Sequence, residues 1–344
     1  MAAPSVSDLY LACRNGDLET VQRLLPNTSI EVLNRLESNG STCLHAASFH
    51  GHIEIVRLLL RTGASRQISN RYGCTPLDEA KTQEIADLFP RNPNAAKKRY
   101  SNNPVKQTEW QFAERTAESF SRAFYWNCVK DRGVKNTVKK IRKAHVLDNI
   151  DSEEDGKLVQ SYFSKALETN NPIYLLKAYT AETSFYDNLN QFMATGSESD
   201  VYKKICRKWS GYYTGLIMKN PTFDRYRYSG LTYRGMEITQ EDYAQYKIGR
   251  ALSNKSFQST SKSWKVAKGF AYPANPKPGR LPVIIVFDVI SRSSALNIEE
   301  ISEYADEEEV LIVPGTFFMV TNINQDERPC EISVKQIEWT NDEL

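Results

Sequence analysis

Three short clusters in the C-terminal third hold side chains able to do chemistry. Leu231-Thr232-Tyr233-Arg234-Gly235 sets an arginine at the end of a short β-prone run, with a glycine after it. A guanidinium in that place can grip a diphosphate through two parallel hydrogen bonds, and the glycine lets a flat ring approach the backbone. An arginine at a strand end also suits a surface ion pair. Phe257-Gln258-Ser259-Thr260-Ser261 supplies clustered hydroxyls, which equally suit a turn or a helix cap. Asp306-Glu307-Glu308-Glu309 runs directly into Val310-Leu311-Ile312-Val313-Pro314. If this run is extended, side chains alternate, so that Glu307 and Glu309 share a face and Glu308 takes the other. The same acidic run can serve as a gatekeeper ahead of an apolar strand.

The elements that must position these residues change character along the chain. Residues 90–104 are rich in Pro, Asn, Lys and Arg without periodicity and read as a linker. From Glu109 to about Asn149 the pattern is helical, with Trp110, Phe112, Phe120, Phe124, Trp126 and Val129 as apolar mass, and this stretch is expected to be a connector packed on the larger domain. A further helical stretch runs from about Asp155 to Leu189, with Leu175, Leu176 and Tyr179. After Gly230, β-prone runs alternate with turns at 231–233, 256–260, 283–289, 310–313, 317–323 and 332–339. Helices first and strands after predict an α+β domain.

The N-terminal quarter repeats itself. Gly40-Ser-Thr-Cys-Leu44-His45-Ala46-Ala47 recurs 33 residues later as Gly73-Cys-Thr75-Pro76-Leu77-Asp78-Glu79-Ala80. The run from Gly51 to Leu60 has an earlier echo from Gly16 to Leu25, and Leu9, Ala12 and Gly16 hold the same offsets as Leu44, Ala47 and Gly51. Residues 5 to about 90 therefore resemble the ankyrin family, with one full middle repeat between a divergent first and a truncated third. The resemblance implies stacked helix pairs and a concave face that binds an unknown partner protein; the alternative role is a cap or spacer.

Taken together, the arginine, the Ser-Thr-Ser and the Glu-x-Glu ahead of an apolar strand, in that order, resemble the arginine-type mono-ADP-ribosyltransferase family, whose signature is R, S and E-x-E. The resemblance covers about residues 150–344. It extends to Tyr179-Thr180-Ala181-Glu182-Thr183 and to Phe270, eleven residues after Ser259. It implies two packed, mainly antiparallel sheets around a cleft for NAD, the co-substrate, behind a helical front. It also implies an NAD(P)+–protein-arginine ADP-ribosyltransferase in which Arg234 holds the NAD phosphates or ribose and Gly235 offers backbone contacts to nicotinamide. Ser259 would orient the catalytic Glu309, Phe270 would pack on the nicotinamide ring, and Glu307 would receive the acceptor arginine. The expected organisation is ankyrin repeats at 1–90, linker at 91–108, helical connector at 109–150 and catalytic domain at 151–344. Two other readings stay open, an NAD glycohydrolase in which water replaces arginine and a non-catalytic ankyrin interaction scaffold.

Composition narrows the class. The 344 residues suit two domains, since single cores stop growing at roughly 250 residues. A net charge of +2, with 25% charged and 40% hydrophobic residues, is globular and names no partner. The basic stretch Lys130 to Lys143 carries Val134, Val138 and Ile141 at helical spacing and is expected to be a solvated helix face, so no nucleic-acid partner is expected. The six cysteines (Cys13, Cys43, Cys74, Cys128, Cys206, Cys330) form no C-x-x-C pair and have no His at ligand spacing, so no metal is expected and the thiols read as free. All four histidines (His45, His50, His52, His145) precede the chemistry-bearing clusters, which argues against a Ser-His hydrolase. A G-x-G-x-x-G dinucleotide signature is missing too. Asp8 and Asp17 interrupt the first twenty residues, and the most apolar run, Val283 to Ile290, contains Asp288 and is far shorter than the roughly 20 residues of a spanning helix. The expectation is a soluble, cytoplasmic protein with no membrane association.

Overall fold

The computed structural model describes residues 6–90, 110–113, 129–144, 150, 152–181, 183–195, 209–273, 276, 278–325 and 328–337. The expected linker at 91–108 lies outside the described residues, as do Phe120, Phe124, Trp126, Cys128, His145, Glu182 and Cys206. The chain divides into two compact units, one of residues 1–92 with 151–162 and the other of 93–150 with 163–344.

The first unit is built from α1 (Asp8–Asn15), α2 (Leu18–Leu24), α3 (Ile30–Leu33), α4 (Cys43–His50), α5 (Ile53–Arg61) and α6 (Gln83–Ala86). Side-chain caps start all of these helices but α5, because the first amides of a helix have no partner within it. Ser7 accepts from the Tyr10 amide, and Thr42 shares a capping box with His45. Gly16 and Gly51 end α1 and α4 at φ 78° and 88°, the left-handed conformation that glycine adopts without steric penalty. The repeat period has a direct physical reading at these two glycines. His52 packs on Gly16 and its Nε2 hydrogen-bonds the Arg14 carbonyl at 3.0 Å. Lys81 packs on Gly51, and its Nζ donates to the His50 carbonyl at 3.3 Å. Each repeat thus caps the inner helix of the one before it. In the third copy Thr75 and Asp78 bond each other as Thr42 and His45 do, but residues 76–79 form only a turn, so that repeat is truncated as its sequence implied.

The second unit carries α7 (Val134–Lys143), α9 (Ile173–Thr180), α10 (Phe185–Thr195) and α11 (Trp209–Lys219), with short α12 (Gln240–Tyr243) and α13 (Trp264–Ala271) among the strands. Between α7 and α9 the chain runs as α8 (Glu153–Thr169). The helical stretch expected from 155 to 189 is therefore broken near Pro172 and again after Thr180. Val134, Val138 and Ile141 of α7 are buried while Lys135, Lys139, Arg142 and Lys143 face outward, which is the solvated basic face the spacing predicts.

The strands are β1 (Trp110–Ala113), β2 (Gly230–Thr239), β3 (Ala251–Asn254), β4 (Gln258–Ser261), β5 (Arg280–Val289), β6 (Ala295–Asn297), β7 (Glu309–Ile312), β8 (Phe317–Asn324) and β9 (Cys330–Gln336). They form one mixed, open sheet in the order β1-β3-β8-β9-β5-β2-β4-β7-β6, with β5 and β9 parallel and the other neighbouring pairs antiparallel. Its two parts, six strands and three, are joined at β2–β4 by the single register pair Tyr233↔Ser261. The two expected sheets are thus two sections of one ladder. Val283, Ile285, Phe287, Ile312, Phe318 and Ile332 make the buried core of this sheet.

One element departs from the sequence expectation outright. Trp110–Ala113, taken as the start of a helical connector, is a strand paired with β3, Trp110 opposite Asn254 and Phe112 opposite Leu252. Trp110 stacks on Phe287 at 5.6 Å and Phe112 meets Tyr246 edge-on at 5.1 Å. Pairing with residues 138 to 144 positions away decided the conformation of an aromatic-rich segment whose local pattern was ambiguous.

Candidate active site

The site begins where β2 and β4 part. If their pairing continued past Tyr233↔Ser261, Arg234 would face Thr260 and Gly235 would face Ser259; instead the ladder stops at that one pair. The Arg234 side chain spans the gap, its Nη1 donating to the Ser259 carbonyl at 2.7 Å, and the residue is only 2% exposed. Arg234 was expected at a strand end. It lies mid-strand, because Met236 and Ile238 carry the buried alternation on to Thr239, and it is the pairing with β4, not the strand, that ends there.

On its other edge β4 pairs with β7, Ser259 opposite Leu311, Thr260 opposite Val310 and Ser261 opposite Glu309. Side chains alternate along a strand and directly opposed residues share a face. Ser259, Ser261 and Glu309 therefore face the same side, with Ser261 directly across from Glu309 and Ser259 one diagonal step away. Thr260 takes the opposite side, where its hydroxyl donates to the Val310 carbonyl at 2.7 Å. Thr232 Oγ1 lies 2.7 Å from Thr260 Oγ1 and 2.9 Å from the Ser261 carbonyl, and its single proton serves one of them at a time. These hydroxyls tie β2, β4 and β7 together behind the carboxylate. Ser261 carried no separate expectation in the sequence, and only the register singles it out.

The Glu-x-Glu pair is built differently from the extended run expected of it. Ala305–Glu307 is a 3-10 turn, Glu308 sits in the left-handed region at φ 46°, and the strand starts at Glu309. Glu307 and Glu309 are both buried and Glu308 is half-exposed. The sidedness anticipated for a strand is produced by a tight turn, closed by the Glu307 amide to the Tyr304 carbonyl and the Glu308 amide to the Ala305 carbonyl. Local preference for an extended acidic run gave way to the chain reversal that the loop after β6 requires.

Gly235 has a packing role in addition to any ligand. A Cβ there would lie 1.7 Å from the Ala267 carbonyl oxygen and 2.8 Å from the Ala271 amide nitrogen. Helix α13 can sit on β2 only because residue 235 lacks a side chain. Phe270 is half-buried on that helix, and the peptide joining it to Ala271 borders Gly235. From the helical side, Tyr179 packs against Phe257, the residue ahead of β4, at 5.6 Å between centroids, and Tyr213 meets the same ring edge-on at 6.1 Å. The segment around Tyr179 thus supports the entry to the Ser-Thr-Ser strand; Glu182 lies outside the described residues. Arg234, Gly235, Ser259, Phe270, Glu307 and Glu309 are consequently carried by three neighbouring strands, the turn leading into one of them, and one packed helix.

The set holds a buried guanidinium, hydroxyls beside a carboxylate, and a second carboxylate two residues ahead. Among the described residues no group of three or more His, Cys, Asp or Glu could hold a metal ion, and no helix is long and apolar enough to cross a membrane.

Comparison with known proteins gives the following. The family model of NAD:arginine ADP-ribosyltransferase matches residues 139–342, more than half of the chain, and ankyrin repeats match residues 9–95 in three copies. The putative NAD(+)–arginine ADP-ribosyltransferase Vis of Vibrio splendidus is 31% identical over 111 residues, 32% of this chain and 44% of that protein. Ankyrin repeat domain-containing protein 40 of Mus musculus is 37% identical over 74 residues, 22% of this chain and 20% of that protein. The solved structure of Vis toxin from Vibrio splendidus superposes with a TM-score of 0.38 at 19% identity, covering 55% of this chain and 87% of that one. The chain spans less than half the length of each of these two curated relatives. The enzymes of the matched family use NAD as co-substrate. By the extent of the family match, this chain belongs to the NAD:arginine ADP-ribosyltransferases and carries ankyrin repeats ahead of that domain.

Proposed function

We propose that this chain transfers ADP-ribose from NAD to the guanidino group of a protein arginine and releases nicotinamide. The observation that carries the reading is the juxtaposition of Ser259, Ser261 and Glu309 on one face of β4 and β7, with Arg234 reaching across to Ser259 and Glu307 buried two residues ahead of Glu309. In this reading Arg234 grips the phosphates or ribose of NAD, and Phe270 packs on the cationic nicotinamide ring by cation–π attraction. The bond between ribose C1′ and the nicotinamide nitrogen breaks, and its electron pair leaves with nicotinamide. Positive charge builds on the sugar, and Glu309, oriented by Ser259 and Ser261, stabilises it while accepting a hydrogen bond from the 2′-hydroxyl. An acceptor guanidinium has a pKa above ~12 and is a poor nucleophile while protonated. Glu307 anchors it beside C1′ and takes the proton as the new C–N bond forms.

The ankyrin repeats, on this proposal, hold a partner protein, the target itself or a protein that presents it. A reducing compartment such as the cytoplasm fits Cys13 and Cys43, free buried thiols close enough for their mutual hydrogen bond, then burial, to push the Cys13 thiol well above its ordinary range. The test is nicotinamide release from NAD with and without a small guanidino acceptor, with Glu309→Ala beside the wild type. Release with ADP-ribosylated acceptor, lost in Glu309→Ala, is the expected result. Release that yields only free ADP-ribose whatever the acceptor would make the chain a glycohydrolase. No release under any condition would make it a binding scaffold.

A further inference from the structure

The loop of residues 298–308, between β6 and β7, carries Glu307. Its crown is a buried plug, since Ile301, Ser302 and Tyr304 are all at most 1% exposed. The half-buried Lys177 on α9 pairs with the buried Glu303 carboxylate at 3.3 Å and fixes that crown from the helical side. Glu307 lies beyond the crown, in the 3-10 turn, and reaches the strand only through the left-handed backbone of Glu308. A residue with a long side chain populates that conformation sparsely and keeps it only where its surroundings hold it. What holds it is Lys262, the residue immediately after Ser-Thr-Ser. Its amide donates to the Glu308 carbonyl at 3.0 Å, and its Nζ donates to Glu299 Oε2 at 2.6 Å. One residue therefore grips both ends of the loop, Glu299 at the start and Glu308 at the finish. Its ammonium is held above the ordinary lysine range, first by the Glu299 hydrogen bond, which outweighs the opposing effect of burial, and then by the weaker pull of the Glu299 and Glu308 charges.

We propose that Lys262 and Glu299 are a positioning pair that sets Glu307 for the acceptor, so that they govern how ADP-ribose is divided between arginine and water while leaving cleavage of NAD intact. The proposal rests on the reading of Glu307 as the residue that receives the guanidinium. Glu309 stands on β7, paired with β4 along its length, and does not depend on the clamp for its place. Glu307 hangs on a turn and does. Misplacing a reacting group by about 1 Å can cost on the order of a hundredfold in rate.

The experiment compares wild type, Lys262→Met, Glu299→Gln and the charge swap Lys262→Glu with Glu299→Lys in the full chain. The Lys262 amide bond to Glu308 survives in all of them, so only the side-chain clamp is altered. For each, nicotinamide release and transfer to a small guanidino compound are measured, together with amide exchange of the peptide spanning 299–308. Both single variants should lose about tenfold to a hundredfold in the ratio of transfer to hydrolysis, with nicotinamide release within about twofold of wild type and faster exchange in the loop. The swap should recover ratio and exchange. A ratio unchanged in either single variant, or one that falls without recovery in the swap, overturns the proposal. If wild type forms no guanidino adduct at all, it is the reading of Glu307 that fails. The clamp is then decided by exchange alone, faster in the singles and restored in the swap supporting it, and unchanged exchange overturning it.

Discussion

At the scale of single residues, the site is shaped as much by what is missing as by charge. Gly235 is the clearest case, since its absent Cβ is the space taken by the backbone of Ala267 and Ala271. Gly235→Ala must push α13 off β2, and overpacking of this kind costs about 1–3 kcal/mol. All five tryptophans (Trp110, Trp126, Trp209, Trp264, Trp339) fall within the residue ranges of the second unit, so urea unfolding followed by tryptophan fluorescence reads that unit. The midpoint should fall for Gly235→Ala; an unchanged midpoint would mean that α13 shifts freely. The types and order of Arg234, Ser259, Glu307 and Glu309 are legible in the sequence because the proposed chemistry asks for those side chains. Their geometry was not, because it is set by long-range pairing. Ser261 gains its place opposite Glu309 only through the β4–β7 register, and Glu307 and Glu309 share burial through a left-handed residue that no alternation rule describes.

At the scale of elements, three strands must stay in register behind one carboxylate. Thr260 does this from the far side, donating to the Val310 carbonyl across the β4–β7 pair. Thr260→Val keeps the shape and removes the donor, so the Val310 carbonyl loses its side-chain hydrogen bond and keeps its ladder partner, at a cost of about 0.5–1.5 kcal/mol. The same fluorescence-detected unfolding should show that loss, and loss of nicotinamide release should accompany it as β7 loosens; a fully stable variant would shift the holding of β7 to its pairing alone. Elements with a strong signal agree with the sequence reading, among them α4 and α5 through the repeat they belong to, and β5 with its apolar run. Trp110–Ala113 was misread as helix because four residues carry too little periodicity, and its partner strand is remote.

At the scale of the molecule, the two units answer acid differently. Among the described residues every histidine lies in the first unit. His45 is buried, its Nδ1 within 3.3 Å of the Thr42 amide as acceptor and its Nε2 3.0 Å from the Cys74 carbonyl as donor, an arrangement that assigns the neutral Nε2–H tautomer. Burial holds its pKa below the ordinary 6.5, outweighing the pull of the Cys74 carbonyl. The unfolded chain then binds a proton more readily than the folded one. The stability His45 contributes is full above pH 6.5 and is lost as pH falls through the folded-state value. Amide protection of α4, corrected for intrinsic exchange, should differ most between wild type and His45→Gln near pH 7.5 and converge toward pH 5. A constant difference would show that His45 does not titrate with unfolding. Repeat and catalytic-family organisation were visible in the sequence because both rest on spaced motifs; the open nine-stranded ladder was not, because its strand order depends on pairings far apart in the chain.

The most direct test of the account is the effect of Glu307→Gln on the two fates of ADP-ribose. Nicotinamide release without acceptor and ADP-ribosylation of a small guanidino compound are measured on the same preparation. Glu307 is assigned to the acceptor and Glu309 to the sugar, so Glu307→Gln should keep NAD cleavage within a small factor of wild type and lose transfer by about 10²–10⁴-fold, the usual contribution of a general base. Equal loss of cleavage and transfer, or transfer that survives, would contradict the division of labour between the two carboxylates and with it the proposed arginine specificity.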